Sequence, residues 1–264
     1  MKKRSRTILN LLLSALLIFS LAAFALNVRS SVHSRQEQKQ AVQIAFRHIP
    51  EESAVPDEPV QKLPDDPHIK ELLALDLDAL RQENEDVIGW IHIPDTRISY
   101  PLLRGTDNAY YLSHTWQKTV NPAGSIFMDC QSSSDFSRFN TIIYGHNRMY
   151  EDMFGSLHNY RKAEYMQQHP SVYIANDAGV FRYDVFAAGF VELYSIVYGL
   201  NIESEQDREA FLSYALERSP EGLGLSPGIE DSFITLSTCT GGDNSKRIAV
   251  IAVLNAENSY EQAQ

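Results

Sequence analysis

Disulfide chemistry is all but missing from this sequence. Its 264 residues include two cysteines, too few for a disulfide framework. Metal-site patterns are missing as well: there is no Cys-x-x-Cys pair, no His-Glu-x-x-His run and no calcium loop of alternating Asp and Asn. Nothing therefore calls for a metal or a cofactor. Nucleotide loops are also lacking, since Gly222, Gly224 and Gly228 have the wrong spacing and follow no strand. Positive charge is scarce. Against 34 acidic residues stand 23 basic ones, a formal net charge of −11, which argues against nucleic acid as a partner. No internal repeat is visible.

What the sequence does have is a globular composition, 44% hydrophobic and 10% aromatic, with length for one sizeable domain and its appendages. Residues 8–26, ILNLLLSALLIFSLAAFAL, carry no charge and follow Lys2, Lys3, Arg4 and Arg6. At about 1.5 Å per residue, a helix of that length just crosses a hydrocarbon core. The basic segment 1–7 predicts a cytoplasmic N-terminus and an external domain, hence a single-pass protein of the cell membrane. A cleaved signal peptide competes, because Ala23-Phe24-Ala25 resembles a cleavage site; the length of the run favours an uncleaved anchor. Residues 27–66 are polar, rich in Gln and Glu, and punctuated by Pro50, Pro56, Pro59 and Pro64. They read as a stalk, disordered or partly helical.

The folded domain, 67–264, opens with a helix that Asp66 caps and Pro67 starts, its face marked by Leu72, Leu73, Leu77 and Leu80 as far as Arg81. Strands are expected at Val87–Ile93, Ile98–Leu103, Ser125–Met128, Thr141–Tyr144, Val172–Ala175 and Val180–Val191. Asn176-Asp177-Ala178-Gly179 signals a hairpin between the last two. Asn108–Leu112 reads as a short helical turn and Glu151–Gln168 as a helix. Ser204–Arg218 reads as another, with Phe211, Leu212 and Ala215 inward and Pro220 beyond its end. Many short strands with few helices imply a closed or nearly closed β barrel decorated by helices.

The chain is organised around Asp231–Leu254, DSFITLSTCTGGDNSKRIAVIAVL. Phe233–Leu236 reads as a strand delivering Thr238 and Cys239, Thr240–Ser245 as a turn, and Ile248–Leu254 as a buried strand. If the two strands pair, the thiol of Cys239 and the guanidinium of Arg247 face each other across the rim of the sheet. A nearby cation favours the thiolate, the nucleophilic form, and fixed donors there suit an oxyanion. A buried structural cysteine is the other reading of this stretch. Of eight histidines, His33, His48 and His68 lie in the stalk or at its end, and His92 alternates with Ile91 and Ile93 on a strand. His114, His158 and His169 have no neighbouring signal. His146 differs, because in YGHN it follows a strand by one glycine, where a side chain can be presented into a cleft.

TLSTC at 235–239, YGHN at 144–147 and KRIAV at 246–250 together resemble the sortases, cysteine transpeptidases of Gram-positive cell surfaces. GWIHIPDTRISYPLL at 89–103, DNAYYL at 107–112, MFGSLHNY at 153–160 and the helical insertion 204–218 are similar to class B in particular. The resemblance covers about residues 70 to 255. It implies a mainly β fold, a closed eight-stranded sortase-type barrel with an N-terminal helix and a helical insertion before the cysteine-bearing strand. It implies Cys239 as nucleophile, His146 as general acid/base and Arg247 as stabiliser of the oxyanion or substrate. Asn108, Leu112 and Ser237 match groove positions, although Asn108 also suits a cap and Leu112 the core. Cys130 has no partner motif and reads as inert. The implied donor is a secreted protein whose C-terminal sorting signal is cut after a threonine, through a thioester. The implied acceptor is the amine of a lipid-linked cell-wall precursor, or a pilin lysine in a pilus-assembling relative. A non-catalytic module that binds sorting signals is the alternative from another class.

Overall fold

Runs of branched and aromatic residues build eight strands: β1 (Val87–His92), β2 (Ser99–Leu103), β3 (Phe127–Met128), β4 (Asn140–Tyr144), β5 (Ser171–Asn176), β6 (Gly179–Glu192), β7 (Phe233–Cys239) and β8 (Lys246–Leu254). The computed structural model describes residues 2–47, 65–148, 151–243, 245–256 and 259–261, with backbone alone for 2–9. The strands are hydrogen-bonded in the order β5-β1-β2-β3-β4-β7-β8-β6, and β6 returns to β5, closing a barrel. The β2–β3 and β4–β7 ladders are parallel and the others antiparallel. β6 is long enough to close the ring because its first half pairs with β5 and the rest with β8. A ninth strand, β9 (Tyr260–Glu261), adds to the start of β6; nothing in the sequence had signalled it. The expected hairpin joins β5 to β6, with the Asn176 side chain accepting the amide of Ala178 at 2.9 Å.

The near-continuous apolar run of β8 follows from burial on both faces. Ile248, Val250 and Ala252 join Ile234 and Leu236 of β7 in the barrel core. Ala249, Ile251 and Val253 join Phe233 on the outer face. There helix α5 (Glu205–Leu216), numbered after four helices described next, packs Phe211 and Ala215 against them; Leu212 is only partly buried. The tilted contact of the Phe211 and Phe233 rings, at a centroid distance of 5.3 Å, anchors that layer.

The helices preceding β1 depart from expectation. Asp66 caps as predicted, accepting the His68 amide at 2.9 Å. The helix it starts, α2 (Pro67–Leu72), stops early, and α3 (Leu77–Glu83) begins anew. The break follows from Asp76, whose carboxylate caps the Ala79 amide while its own N–H donates to the Ala45 carbonyl. Likewise Glu151–Gln168 is not one helix but a 3₁₀ segment, Gly155–Arg161, followed by α4 (Ala163–Gln168). Glu151 and Met153 hold φ of 61° and 53°, a left-handed backbone that cannot lead into a helix.

The largest difference is at the N-terminus. α1 (Lys2–Ala45) runs unbroken from the apolar segment into residues read as a stalk. The proline-bearing part of that stalk, 48–64, lies outside the described residues. Ser34, Glu37, Ala41 and Ala45 recur at helical spacing and are buried against the barrel. Arg35 grips Asp152 through Nε at 2.9 and 3.1 Å, and the indole N–H of Trp116 donates to the Glu37 carbonyl at 3.0 Å.

Between β4 and β7, Asn140 is buried and fully engaged. It donates to the Val197 carbonyl at 3.0 Å and accepts the Thr235 hydroxyl at 2.9 Å. Removing it orphans both groups inside the protein, at about 1–3 kcal/mol each. Asn140→Ala is therefore predicted to lower the urea midpoint of the detergent-solubilised protein without changing the slope; an unchanged midpoint contradicts this account.

Candidate active site

Cys239 closes β7 and pairs in register with Arg247 of β8. Side chains alternate along a strand, so Phe233, Thr235, Ser237 and Cys239 share the outer face, as do Arg247, Ala249, Ile251 and Val253. Thiol and guanidinium thus stand opposite each other on one face, above the layer covered by α5. The cysteine is exposed, whereas Ser237 and Thr238 before it are buried. The turn between the strands holds itself together: the Thr240 hydroxyl donates to the Asp243 carbonyl at 2.6 Å, and Asp243 accepts the Ser245 amide at 2.8 Å. Those Ser245 bonds hold the Asp243 carboxyl below its ordinary range. Lys246, one residue before Arg247, reaches instead toward Glu192 of β6 at 3.6 Å.

The histidine arrives from the other side of β7. Tyr144 of β4 is level with Ser237, and the Gly145 amide donates to the Ser237 carbonyl at 3.2 Å. His146 follows at once, beside the end of the strand that carries the thiol. Its Nε2 lies 2.7 Å from the Leu112 carbonyl. A carbonyl only accepts, so that nitrogen carries a proton, and in the neutral ring Nδ1 keeps the lone pair. Gly124 lies beneath the ring with φ +61°, where a Cβ would come within 2.9 Å of the imidazole and 2.6 Å of the Tyr111 carbonyl. Only glycine fits there.

The six residues singled out from the sequence, Asn108, Leu112, His146, Ser237, Cys239 and Arg247, line one groove of about 420 Å³. Leu112 is 43% exposed, so its side chain belongs to the groove wall and not to the core. Both polar groups of Asn108 are occupied, one by Asp129 and one by the Cys130 amide, each at 2.8 Å. It shapes the wall more than it offers free donors. Asp129 also accepts the Tyr144 hydroxyl at 3.0 Å. Burial, reinforced by that carboxylate, raises the Tyr144 phenol far above its ordinary value, so it remains a donor. Cys130 does not line the groove.

Three contributors escaped the sequence reading. Leu193 and Tyr198 complete the groove from the segment before α5. Tyr198 holds Ser237 through a 2.8 Å contact between hydroxyls, and burial raises its pKa. His158 donates from Nε2 to the main-chain carbonyl of Cys239 at 2.9 Å, fixing the peptide that follows the thiol. Its only sequence signal is its place in MFGSLHNY, whose Gly155 must pack against the Arg148 carbonyl, where a Cβ would come within 2.3 Å.

His158→Ala removes one such bond, generally about 0.5–1.5 kcal/mol, and is predicted to lower kcat by roughly two- to tenfold with little change in KM. His158→Gln keeps a donor of similar reach and is predicted to recover most of the loss. Equal kcat in His158→Ala and the unsubstituted protein, by steady-state peptide cleavage, contradicts this role.

Comparison with known proteins places this geometry. Residues 91–255 match the sortase domain family. Sortase B of Listeria monocytogenes is 35% identical over 162 residues, which span 61% of this chain and 65% of that protein, just under two thirds of its length. Sortase B of Staphylococcus aureus is 30% identical over 177 residues, 66% of this chain and 72% of that protein. The structure of a Staphylococcus aureus sortase B–substrate complex superposes with a TM-score of 0.64 at 30% identity, covering 68% of this chain and 84% of that one. Its eight-stranded mixed barrel and N-terminal helix match those structures. By sequence and by fold, the chain belongs to the sortase family of cysteine transpeptidases, on the class B side.

Proposed function

We propose that the chain is a membrane-anchored class B sortase. It cuts the C-terminal sorting signal of secreted proteins after a threonine and joins the new carboxyl end to the amine of a lipid-linked cell-wall precursor. The observation that carries this reading is the register pair Cys239–Arg247 with His146 delivered beside it, all lining one groove. The Staphylococcus aureus neighbour was solved with its substrate, and we carry a peptide substrate over to the groove of this chain. Support for the anchor is the apolar stretch of α1 from Asn10 onward, a helix long enough to span a bilayer whose most apolar 18-residue window has no buried residue.

In this reading the Cys239 thiol gives its proton to His146 and the sulfur attacks the threonine carbonyl, forming a C–S bond and placing negative charge on the oxygen. Arg247 meets that charge with fixed donors and takes no part in proton transfer. Collapse breaks the C–N bond, and His146 gives a proton to the departing amine. The thioester that remains is opened by the acceptor amine, whose proton passes to His146, and the thiol is restored. Ser237, Leu112 and Asn108 form the walls that hold the peptide.

Cys239→Ala is predicted to lose all turnover of a sorting-signal peptide and all thioester adduct by mass spectrometry, while Cys130→Ala keeps most activity. Added amine nucleophile should appear in the product. Turnover in Cys239→Ala, or products that never incorporate amine, refute the transpeptidase reading.

Arg247 tests the role of the fork. A lysine keeps the charge and loses the planar donor pair, and losing one oxyanion donor costs on the order of a hundredfold to a thousandfold. Arg247→Lys is thus predicted to lower kcat about a hundredfold or more. Lys246→Ala, at the position aimed toward Glu192, should be near neutral. The reverse pattern would mean that the site is built from the other residue.

A further inference from the structure

α1 leaves almost no slack between the apolar segment and the barrel. The continuous apolar run ends at Leu26, with Asn27 the next residue and Arg29 the first charge. Contact with the barrel begins at Asn27: Arg148 donates to its side chain at 3.4 Å and to the Ser31 hydroxyl at 3.0 Å. Asn121 is bonded to the Ser30 hydroxyl and donates to its carbonyl at 3.2 Å. Further along, Arg35 and Gln38 hold Asp152 and Ser99, and the Ala45 carbonyl meets Asp76 beside α3. A hydrocarbon core of about 30 Å in a bilayer of about 40–45 Å leaves headgroup layers about 5–7 Å deep. At about 1.5 Å per residue, Asn27–Ser31 stays within roughly that depth.

The loops that touch this part of α1 therefore lie at the same level. One is the turn 113–121, where Val120, next to Asn121, is 76% exposed. The other meets α1 through Arg148. With the exposed Arg29 of α1 it supplies positive charge where lipid phosphates lie. An uncovered valine on a loop bonded to α1 at this level suits the boundary of headgroups and acyl chains.

The same loop supports the catalytic histidine. The Asn121 carbonyl accepts the Gly124 amide at 3.0 Å, Gly124 lies under His146, and Leu112 holds the His146 ring. We propose that the barrel face formed by the Val120–Asn121 turn and the Arg148 side chain rests on the phospholipid headgroups of the membrane that α1 crosses, so that the groove opens at the bilayer surface. This inference rests on the membrane-anchor reading above. It deepens that reading by fixing the height of the site above the bilayer.

The test is depth-dependent quenching in full-length protein reconstituted into phosphatidylethanolamine–phosphatidylglycerol vesicles. A nitrobenzoxadiazole label is placed in turn at Val120→Cys, Phe19→Cys and Asp78→Cys, with Cys130→Ser and Cys239→Ala in each. Asp78 is on α3, beside the far end of the docked helix, and serves as the control position distant from the membrane. Spin labels carried near the headgroups should quench position 120 severalfold more than position 78, and deep acyl-chain labels should quench position 19. Inserting seven helical residues between Leu26 and Asn27 lifts the barrel about 10 Å with nearly the same facing, and should abolish the quenching at 120. Quenching at 19, with position 120 quenched no more than position 78, overturns the inference and leaves the anchor standing. No quenching at 19 refutes the anchor, and the inference with it.

Discussion

β7 is hydrogen-bonded on both sides, and each ladder fixes one partner of its terminal cysteine. The antiparallel ladder to β8 sets Arg247 opposite Cys239. The parallel ladder to β4 sets Tyr144 level with Ser237, which brings His146 to the cysteine's end of the strand. A slip of one residue in either ladder exchanges the two faces of β7, moving Ile234 and Leu236 out of the core and Thr235 and Ser237 into it. Hydrophobic burial thus guards the placement of Cys239, His146 and Arg247, although none of these three side chains is itself in the core. The buried Asn140–Thr235 pair adds a second restraint on the β4–β7 register.

The groove wall depends on the same restraint at one remove. Asn140 holds the Val197 carbonyl, and the next residue, Tyr198, holds Ser237. On the opposite wall, Asp129 gathers Asn108 and Tyr144. Paired polar groups, buried or partly buried, shape the groove, and more exposed residues such as Leu112 and Cys239 line it between them.

Much of this was legible in the sequence, for identifiable reasons. The strands announce themselves because β8 is apolar on both faces and the hairpin before β6 carries its own turn residues. The Cys239–Arg247 pair is readable because a short polar turn between two strands fixes their register. The docked face of α1 was not readable: it is built from Ser34, Glu37, Ala41 and Ala45, which a hydropathy pattern does not mark, and it is held by side chains from more than fifty residues away. The interruptions at Asp76 and Met153 arise from contacts distant in sequence and from left-handed backbone, and local propensity records neither. His158 meets a main-chain carbonyl 81 positions away, a partner that leaves no trace in side-chain patterning.

The parallel pairing of β4 with β7 also bears on how the protein comes into being. Parallel neighbours need a crossover, and here it spans residues 145–232, including β5, β6 and α5. Pairings so distant in sequence form slowly, because the entropy of closing the loop is lost before the contacts compensate it. His146 and Cys239 therefore meet only when the final strands close the ring. A partly synthesised chain holds His146 before it holds Cys239. Closure of the barrel is thus the event that brings these two residues together.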